Sequence, residues 1–284
     1  MEINITTLIE NSLGEHTGLA VEHGLSFLVE SGPHSVLFDT GQSDRYIRNA
    51  EKLGKELSSV RNVVLSHGHY DHSGGFRSFV EKRGKGTLTL WTGKGFFDQK
   101  YGKSGPSLQY LGNDFDEDFL NSHAVEHRTV ASGKTEVVPG IWIVSGYSRI
   151  HPEEPVNPRF CKRIALDGSF QEDTFEDEIL LVVESKRGLV VIVGCAHPGI
   201  LNMLDTVATL FNQKVYALLG GTHLVEADQK RIGDTLKIFQ EMDISVLGIS
   251  HCSGSAAIEQ SISMMDLSFH NNTGTSIILR DDEI

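Results

Sequence analysis

The chain has 284 residues, with 25 Lys+Arg against 38 Asp+Glu, a formal charge of −13, 13 His and 3 Cys. With 39% hydrophobic and 22% charged residues it has the composition of a folded protein with a full core, not of a disordered chain. The acidic excess removes any general electrostatic reason to bind phosphate backbones, so nucleic acid is not an expected partner. No apolar run approaches the ~18 residues of a membrane helix, so no membrane partner is expected. The opening Met1-Glu2-Ile3-Asn4-Ile5 lacks the basic and apolar regions of a signal peptide. Cys161, Cys195 and Cys252 are odd in number and far apart, which argues against a disulfide framework and for a reducing, cytoplasmic setting.

Residues 3–9 read as a strand. Residues 25–30 and 35–39 flank Gly32-Pro33 and read as a hairpin. Residues 43–53 suit a helix with Ser43 as N-cap, 60–66 a strand, 74–82 a helix and 87–92 a strand. Residues 93–178 are different: rich in Gly, Pro, Asp and aromatic residues, with weak periodicity and one hairpin about Pro139-Gly140. So long a stretch in a single domain of 1–284 is expected to be an insertion that shapes a substrate pocket. Strands return at 179–184, 189–193, 215–219, 244–249 and Ser276–Arg280, with helices over 199–212 and 228–242 and another from Ser255. The alternation is βαβα, and the fold class is α/β. Part of the acidic excess falls in exposed segments such as Asp281-Asp282-Glu283.

Several of these strands end in a metal-competent residue: Asp39, His67, Cys195 with His197, His223 and His251. In α/β sheets, sites form beyond the carboxyl ends of strands. His67-Gly68-His69-Tyr70-Asp71-His72 adds three imidazoles and a carboxylate in six residues. Such ligands suit Zn²⁺ ahead of Fe or Mn. His67 and His69 can address one ion, and Asp71 and His72 a second. Ser73 can cap the following helix, and Gly74 and Gly75 permit close backbone packing. His16, His23, His34, His123, His127 and His270 read as ordinary surface or hydrogen-bonded histidines.

The run His67-x-His69-x-Asp71-His72 resembles the HxHxDH signature of the metallo-β-lactamase superfamily. More narrowly, Val193-Gly194-Cys195-Ala196-His197-Pro198-Gly199, Gly220-Gly221-Thr222-His223-Leu224 and Ser250-His251-Cys252-Ser253-Gly254 resemble its metal-dependent hydrolase branch. That branch is related to the synthase joining a dihydropterin to a ribofuranosyl-aminobenzene phosphate in methanopterin biosynthesis. The resemblance implies a four-layer αββα sandwich with two like halves, one or two divalent ions, a first site at His67 and His69, and a second at Asp71 and His72. It makes His251 the last ligand and Asp39 the carboxylate that orients the ligands. The superfamily's usual His before the late strand is missing from Phe175-Glu176-Asp177-Glu178, and its bridging Asp is replaced by Cys195-Ala196-His197. His197 is therefore expected to ligate in place of one of these. Asp177 or Glu178 could add an oxygen, although solvated acidic residues fit them better, and Cys195 either ligates or packs. His223 is assigned a substrate-facing or proton-transfer role.

The default chemistry is hydrolysis by a metal-activated water, with Asp71 also orienting the nucleophile. The alternatives are a transferase condensing a dihydropterin pyrophosphate with an aryl acceptor, and a non-catalytic metal-binding sensor. Arg149, Arg159, Lys162 and Arg163, with Phe96, Phe97, Tyr101, Tyr110 and Phe160, suggest an anionic small-molecule substrate with an aromatic or heterocyclic part. A solvated surface over ordinary core aromatics fits them equally.

Overall fold

The computed structural model describes residues 2–84, 86–164 and 167–280, so the Asp281-Asp282-Glu283 segment lies outside the described residues. Two seven-stranded sheets form the body of the molecule. In the first, the strands run in the order Ser276–Arg280, Glu2–Ile9, Ser26–Ser31, His34–Phe38, Asn62–Val64, Thr89–Thr92, Glu126–Thr129. In the second, the order is Ser268–His270, Val246–Ser250, Val215–Gly221, Gly188–Val193, Ile179–Ser185, Ile141–Ser145, Gly133–Val138. Each sheet has an antiparallel half and a parallel half. This is the like-halves pattern the sequence resemblance implied.

Side-chain alternation explains the layering. Ile179, Leu181 and Val183 point between the sheets, where they meet Ile3, Ile5, Phe27, Val29, Val36 and Phe38. Leu180 and Val182 point the other way, into a cluster with Ile200, Leu204, Val207 and Leu236 of the helices Ile200–Phe211 and Gln229–Glu241. Across the molecule, Leu28, Leu37 and Val63 face Tyr46, Ala50, Phe76 and Phe79 of the helices Arg45–Lys52 and Phe76–Lys82. The strands read as unbroken apolar runs because both of their faces are covered. The result is the αββα sandwich.

Residues 93–178 divide between the layers. Glu126–Thr129 closes one edge of the first sheet. Gly133–Val138 and Ile141–Ser145 form the expected hairpin at the edge of the second. Gln99–Ser104, Ser107–Tyr110, Phe160–Arg163 and Phe170–Glu172 build a separate four-stranded antiparallel sheet.

Two capping expectations need correction. The helix Arg45–Lys52 starts after Asp44; the Ser43 hydroxyl donates to the Glu22 carboxylate at 2.5 Å and accepts the Arg45 amide at 3.3 Å. Ser73 ends a short helix, Tyr70–Ser73, and donates to the His69 carbonyl at 2.9 Å; the helix Phe76–Lys82 follows Gly75. Gly75 does permit close packing. A Cβ there would stand 2.1 Å from the Thr40 carbonyl oxygen.

Candidate metal centre

The carboxyl ends of the parallel strands from both sheets meet at one place. His34–Phe38 delivers Asp39, and Asn62–Val64 delivers Ser66 and the histidine-rich loop. Gly188–Val193 delivers Cys195 and His197, Val215–Gly221 delivers His223, and Val246–Ser250 delivers His251. Asp39, Ala196, His223 and His251 all have left-handed backbone, with φ of 58°, 58°, 52° and 54°. Such residues cost about 1–3 kcal/mol each unless their surroundings over-determine them.

Hydrogen bonds orient the imidazoles. Buried Asp39 accepts from the Ser66 amide at 2.7 Å and from the Ser66 hydroxyl at 2.8 Å, and lies 2.6 Å from His72 Nδ1. The Ser66 hydroxyl, already donating, accepts from His67 Nδ1 at 2.9 Å. His251 Nδ1 lies 3.0 Å from the Asn11 side-chain oxygen. With Nδ1–H engaged in each case, the Nε2 lone pairs of His67, His72 and His251 turn inward, as metal-ligand histidines require.

Those nitrogens crowd against one another and against the Cys195 sulfur, which lies 3.1 Å from His72 Nε2. His67 Nε2 lies 3.1 Å from His69 Nδ1, and His72 Nε2 lies 3.2 Å from His251 Nε2. His197 Nε2 is buried with no hydrogen-bond partner. A buried imidazole nitrogen left this way is costly unless a cation meets it. Four overlapping donor groups emerge among the described residues: His67, His69 and His197; His67, His72 and Cys195; Cys195, His251 and Cys252; and His23, Asp71 and His251, with Asp71 Oδ2 at 3.3 Å from His251 Nε2. The residues present fit divalent metal ions.

All six histidine and aspartate ligands named from the sequence are thus brought together, and His223 sits next to them. The His223 ring centre is 4.4 Å from that of His197, but His223 joins none of the donor groups among the described residues. Asp177 and Glu178 do not join them either. The two Glu178 oxygens accept the Ala196 and His197 amides at 2.5 and 2.9 Å, fixing the loop that carries His197. Asp177 accepts the Gly68 amide at 2.8 Å.

Asp177 is held in turn by Lys100 Nζ at 2.8 Å, which also donates to Asp173 at 2.6 Å, all three groups being buried. Lys100 lies on a strand of the four-stranded sheet, so this ion triad ties that sheet to the histidine loop. Lys100→Met would strand two buried carboxylates. It should cost about 3–5 kcal/mol in denaturant unfolding and weaken metal binding about tenfold or more through the displaced loop. Unchanged unfolding and metal affinity would show the triad to be dispensable.

One ordinary-looking histidine belongs to the site. His23 Nε2 lies 3.2 Å from Asp71 Oδ2, and its ring stacks on His251 at 4.9 Å. The Leu25 amide donates to the Asp71 carbonyl at 3.2 Å, and a Cβ on Gly24 would stand 2.7 Å from that oxygen, so the chain around His23 is clamped to the ligand loop. Phe175 was also unanticipated. It stacks on His197 at 3.9 Å and 13°. Of the residues expected to line a pocket, Phe160 packs near His69, His197 and His223, with Arg159 over its ring and paired with Glu226 at 3.0 Å. Phe96 and Phe97 instead pack against Phe115, and Lys162 pairs with Asp98.

The imidazoles of the site titrate in opposing directions. Burial depresses His67 and His197 well below the usual imidazole value and takes His69 to about 3. Burial also opposes charge on His72, but the Asp39 and Asp71 carboxylates more than reverse it and raise His72 to about 9. The unfolded chain protonates the first three below roughly pH 6.5, so acid destabilises the fold. The His72 contribution is complete below roughly pH 6.5 and is lost as pH rises through about 9. Metal-free protein should therefore show a maximum of thermal stability near neutral pH. A melting temperature flat from pH 5 to 9.5 would contradict this.

Residues 19–160 match the family model described as the metallo-beta-lactamase superfamily. The chain belongs to the metallo-beta-lactamase superfamily. It is 29% identical over 269 residues to 7,8-dihydropterin-6-methyl-4-(beta-D-ribofuranosyl)-aminobenzene-5'-phosphate synthase of Methanocaldococcus jannaschii, covering 89% of this chain and 88% of that protein. It is also similar to the crystal structure of Tm1679, a metal-dependent hydrolase of the beta-lactamase superfamily, at TM-score 0.82 and 31% identity over 97% of this chain and 98% of that one. Zn²⁺-bound PqqB from Methylobacterium extorquens shares the fold at TM-score 0.55 and 15% identity, over 96% and 99% of the two chains. No helix among the described residues is long and apolar enough to cross a membrane.

Proposed function

We propose that this chain is a metal-dependent hydrolase of a small anionic substrate. The observation that carries the reading is the convergence of buried imidazole nitrogens, above all His197 Nε2, which has no hydrogen-bond partner. His67, His69 and His197 would hold one ion, and Asp71, His72 and His251 would hold part of a second, zinc being favoured over iron or manganese by the nitrogen-rich set. When bound, such ions act as Lewis acids and lower the pKa of a water toward about 7.

The remaining work falls to side chains. Asp71 combines a ligand position with a carboxylate fixed by His23 and His251, and it orients the attacking oxygen. Burial depresses His223 to about 4, so at neutral pH it is an uncharged imidazole able to accept a proton or a substrate hydrogen bond. Phe160 and Phe175 exclude water around His69 and His197. The four-stranded sheet of the 93–178 segment, through Phe160 and Arg159, shapes the pocket and suits an anionic substrate with an aromatic or heterocyclic part. Three free cysteines suit a reducing compartment, hence the cytoplasm.

The methanopterin-type synthase among the relatives favours a second reading, a transferase in which a dihydropterin pyrophosphate is attacked by an aryl acceptor. Natively purified protein, assayed for pyrophosphate release from dihydropterin-methyl pyrophosphate with and without acceptor, separates the two. Release independent of acceptor, or turnover of simple phosphoesters or lactones, supports the hydrolase. Acceptor-dependent release supports the transferase. Protein that purifies without metal above background overturns both.

A further inference from the structure

We propose that the helical layer over the first sheet carries a ligand site, remote from the metal centre, for a small phosphomonoester with an apolar or aromatic body. It starts from two arginines that the protein leaves without a counter-charge. Arg61 Nη1 donates to the Ser58 and Val60 carbonyls at 2.8 and 3.2 Å. Arg83 donates to the Gly86, Thr87 and Val60 carbonyls at 3.1, 3.1 and 3.4 Å. The two guanidiniums thus share the Val60 oxygen and meet at Gly86, where a Cβ would stand 3.6 Å from the Arg61 guanidinium carbon. Among the described residues neither has a carboxylate partner. Arg48, Arg128 and Arg159 each have one, in a chain with a formal charge of −13. Neutral carbonyls share the two charges without cancelling them, and like charges on one oxygen repel. Burial and the Arg61 charge both hold Arg83 below the usual guanidinium value. A dianion bridging the pair would reverse that repulsion.

A cavity of about 490 Å³ opens beside Arg83, a volume in the range of small-molecule sites. Ile47 and Ala50 of the helix Arg45–Lys52, Leu57 beyond it, and Phe79 of the helix Phe76–Lys82 give it apolar walls. The lysines on its rim are already paired, Lys55 with Glu30 and Lys82 with Asp44, each at 2.6 Å. The rim carboxylates Glu51 and Glu56 are exposed, and Glu56 accepts the Ser58 amide at 2.8 Å. Arg83 is the cation left to receive an anion, and its Nε is buried with no acceptor. An arginine fork matches phosphate oxygens in pairs, and two guanidiniums match the nearly double charge of a phosphomonoester better than the single charge of a carboxylate. The apolar body would fill the cavity. Val60 and Arg61 precede the strand Asn62–Val64, whereas Ser66 and His67 follow it, so this site and the metal centre lie at opposite ends of one strand. A ligand here is bound and not turned over, and its binding rests on none of the metal assignments.

The test is calorimetric titration of the natively purified protein with phenylphosphonate, whose carbon–phosphorus bond resists hydrolysis. Inorganic phosphate and benzyl alcohol serve as the head and the body alone. Phenylphosphonate is expected to bind about tenfold tighter than either, because its ring is buried as well as its charge. Arg61→Gln, at an exposed position, and Arg83→Gln should each weaken it about tenfold or more through the lost charge-assisted bonds. A crystal structure of the unmutated protein with phenylphosphonate should show the phosphonate on both guanidiniums and the ring against Phe79. That structure and the Arg61 variant decide the matter even if Arg83→Gln fails to fold. Unchanged affinity in both variants, or phosphonate found only at the metal centre, overturns the site. Equal affinity for inorganic phosphate and phenylphosphonate reduces it to a bare oxyanion patch and overturns the phosphomonoester assignment. Absence of binding by every probe overturns it outright. None of these results bears on the reading of the metal centre.

Discussion

His197→Ala is expected to lower kcat/KM by at least about 10³-fold, roughly 4 kcal/mol of barrier, and to release one equivalent of metal per chain. Ring packing apart, Nε2 of this imidazole has only a ligand role open to it. Its Nε2 makes no hydrogen bond, and its amide, which Glu178 holds, survives in alanine. The ring packs between Phe175 and Phe160. Truncation thus removes packing but also removes an unsatisfied buried nitrogen, two effects of about 1–3 kcal/mol and opposite sign. The stability of metal-free protein should change little while metal stoichiometry and turnover collapse. Full metal content with near-normal turnover would mean that His197 is a packing residue and that the first ion, if bound, is held by others.

Asp39→Ala should have the larger effect on the fold. One carboxylate, fully buried, takes two bonds from Ser66 and partners His72. Removing it leaves a buried amide, a hydroxyl and an imidazole without their acceptor. A loss of about 3–5 kcal/mol is expected in the metal-free protein, together with a 10–100-fold weakening of metal binding, because His72 and His67 lose the partners that aim them. The alkaline limb of the pH–stability profile should also shrink in this variant, since His72 then keeps only Asp71 of the two carboxylates that raise its pKa. Chemical denaturation at pH 7 and a pH series of melting temperatures would show it. A variant that loses metal affinity but keeps that alkaline limb would place the source of the His72 shift elsewhere.

Much of this site was legible in the sequence because periodicity and chemistry changed at the same residues. Apolar runs such as 189–193 stop abruptly at Cys195 and His197, and the strand before His67 does the same. What was not legible depended on contacts between distant segments. Nothing near His23 distinguishes it from His16 or His34; only the clamping of the chain at Gly24 against Asp71 brings it in. The Phe175 ring was obscured by the three acidic residues that follow it. Two of these, Asp177 and Glu178, are buried and hold the ligand loops. Ser43 and Ser73 do not cap as expected because the helices begin later, after Asp44 and after Gly75. The composition of 93–178 marked it as different, but without periodicity it could not show that residues 126–129 and 133–145 complete the two main sheets.

The divided origin of the donors has a mechanical consequence. His67, His69, Asp71 and His72 come from the first sheet, and Cys195, His197 and His251 from the second. The two sheets also meet through an apolar interface and a few hydrogen bonds at this end, such as the Ile179 amide to the Ser66 carbonyl at 2.8 Å and the Gly68 amide to Asp177 at 2.8 Å. An ion held at this seam would act as a rivet between the halves. It would fix their register at one end of the sandwich and close chain loops of more than a hundred residues, and the freedom a cross-link removes from the unfolded chain grows with loop length. The centre that binds substrate would then also be the clasp that makes two similar half-structures one body.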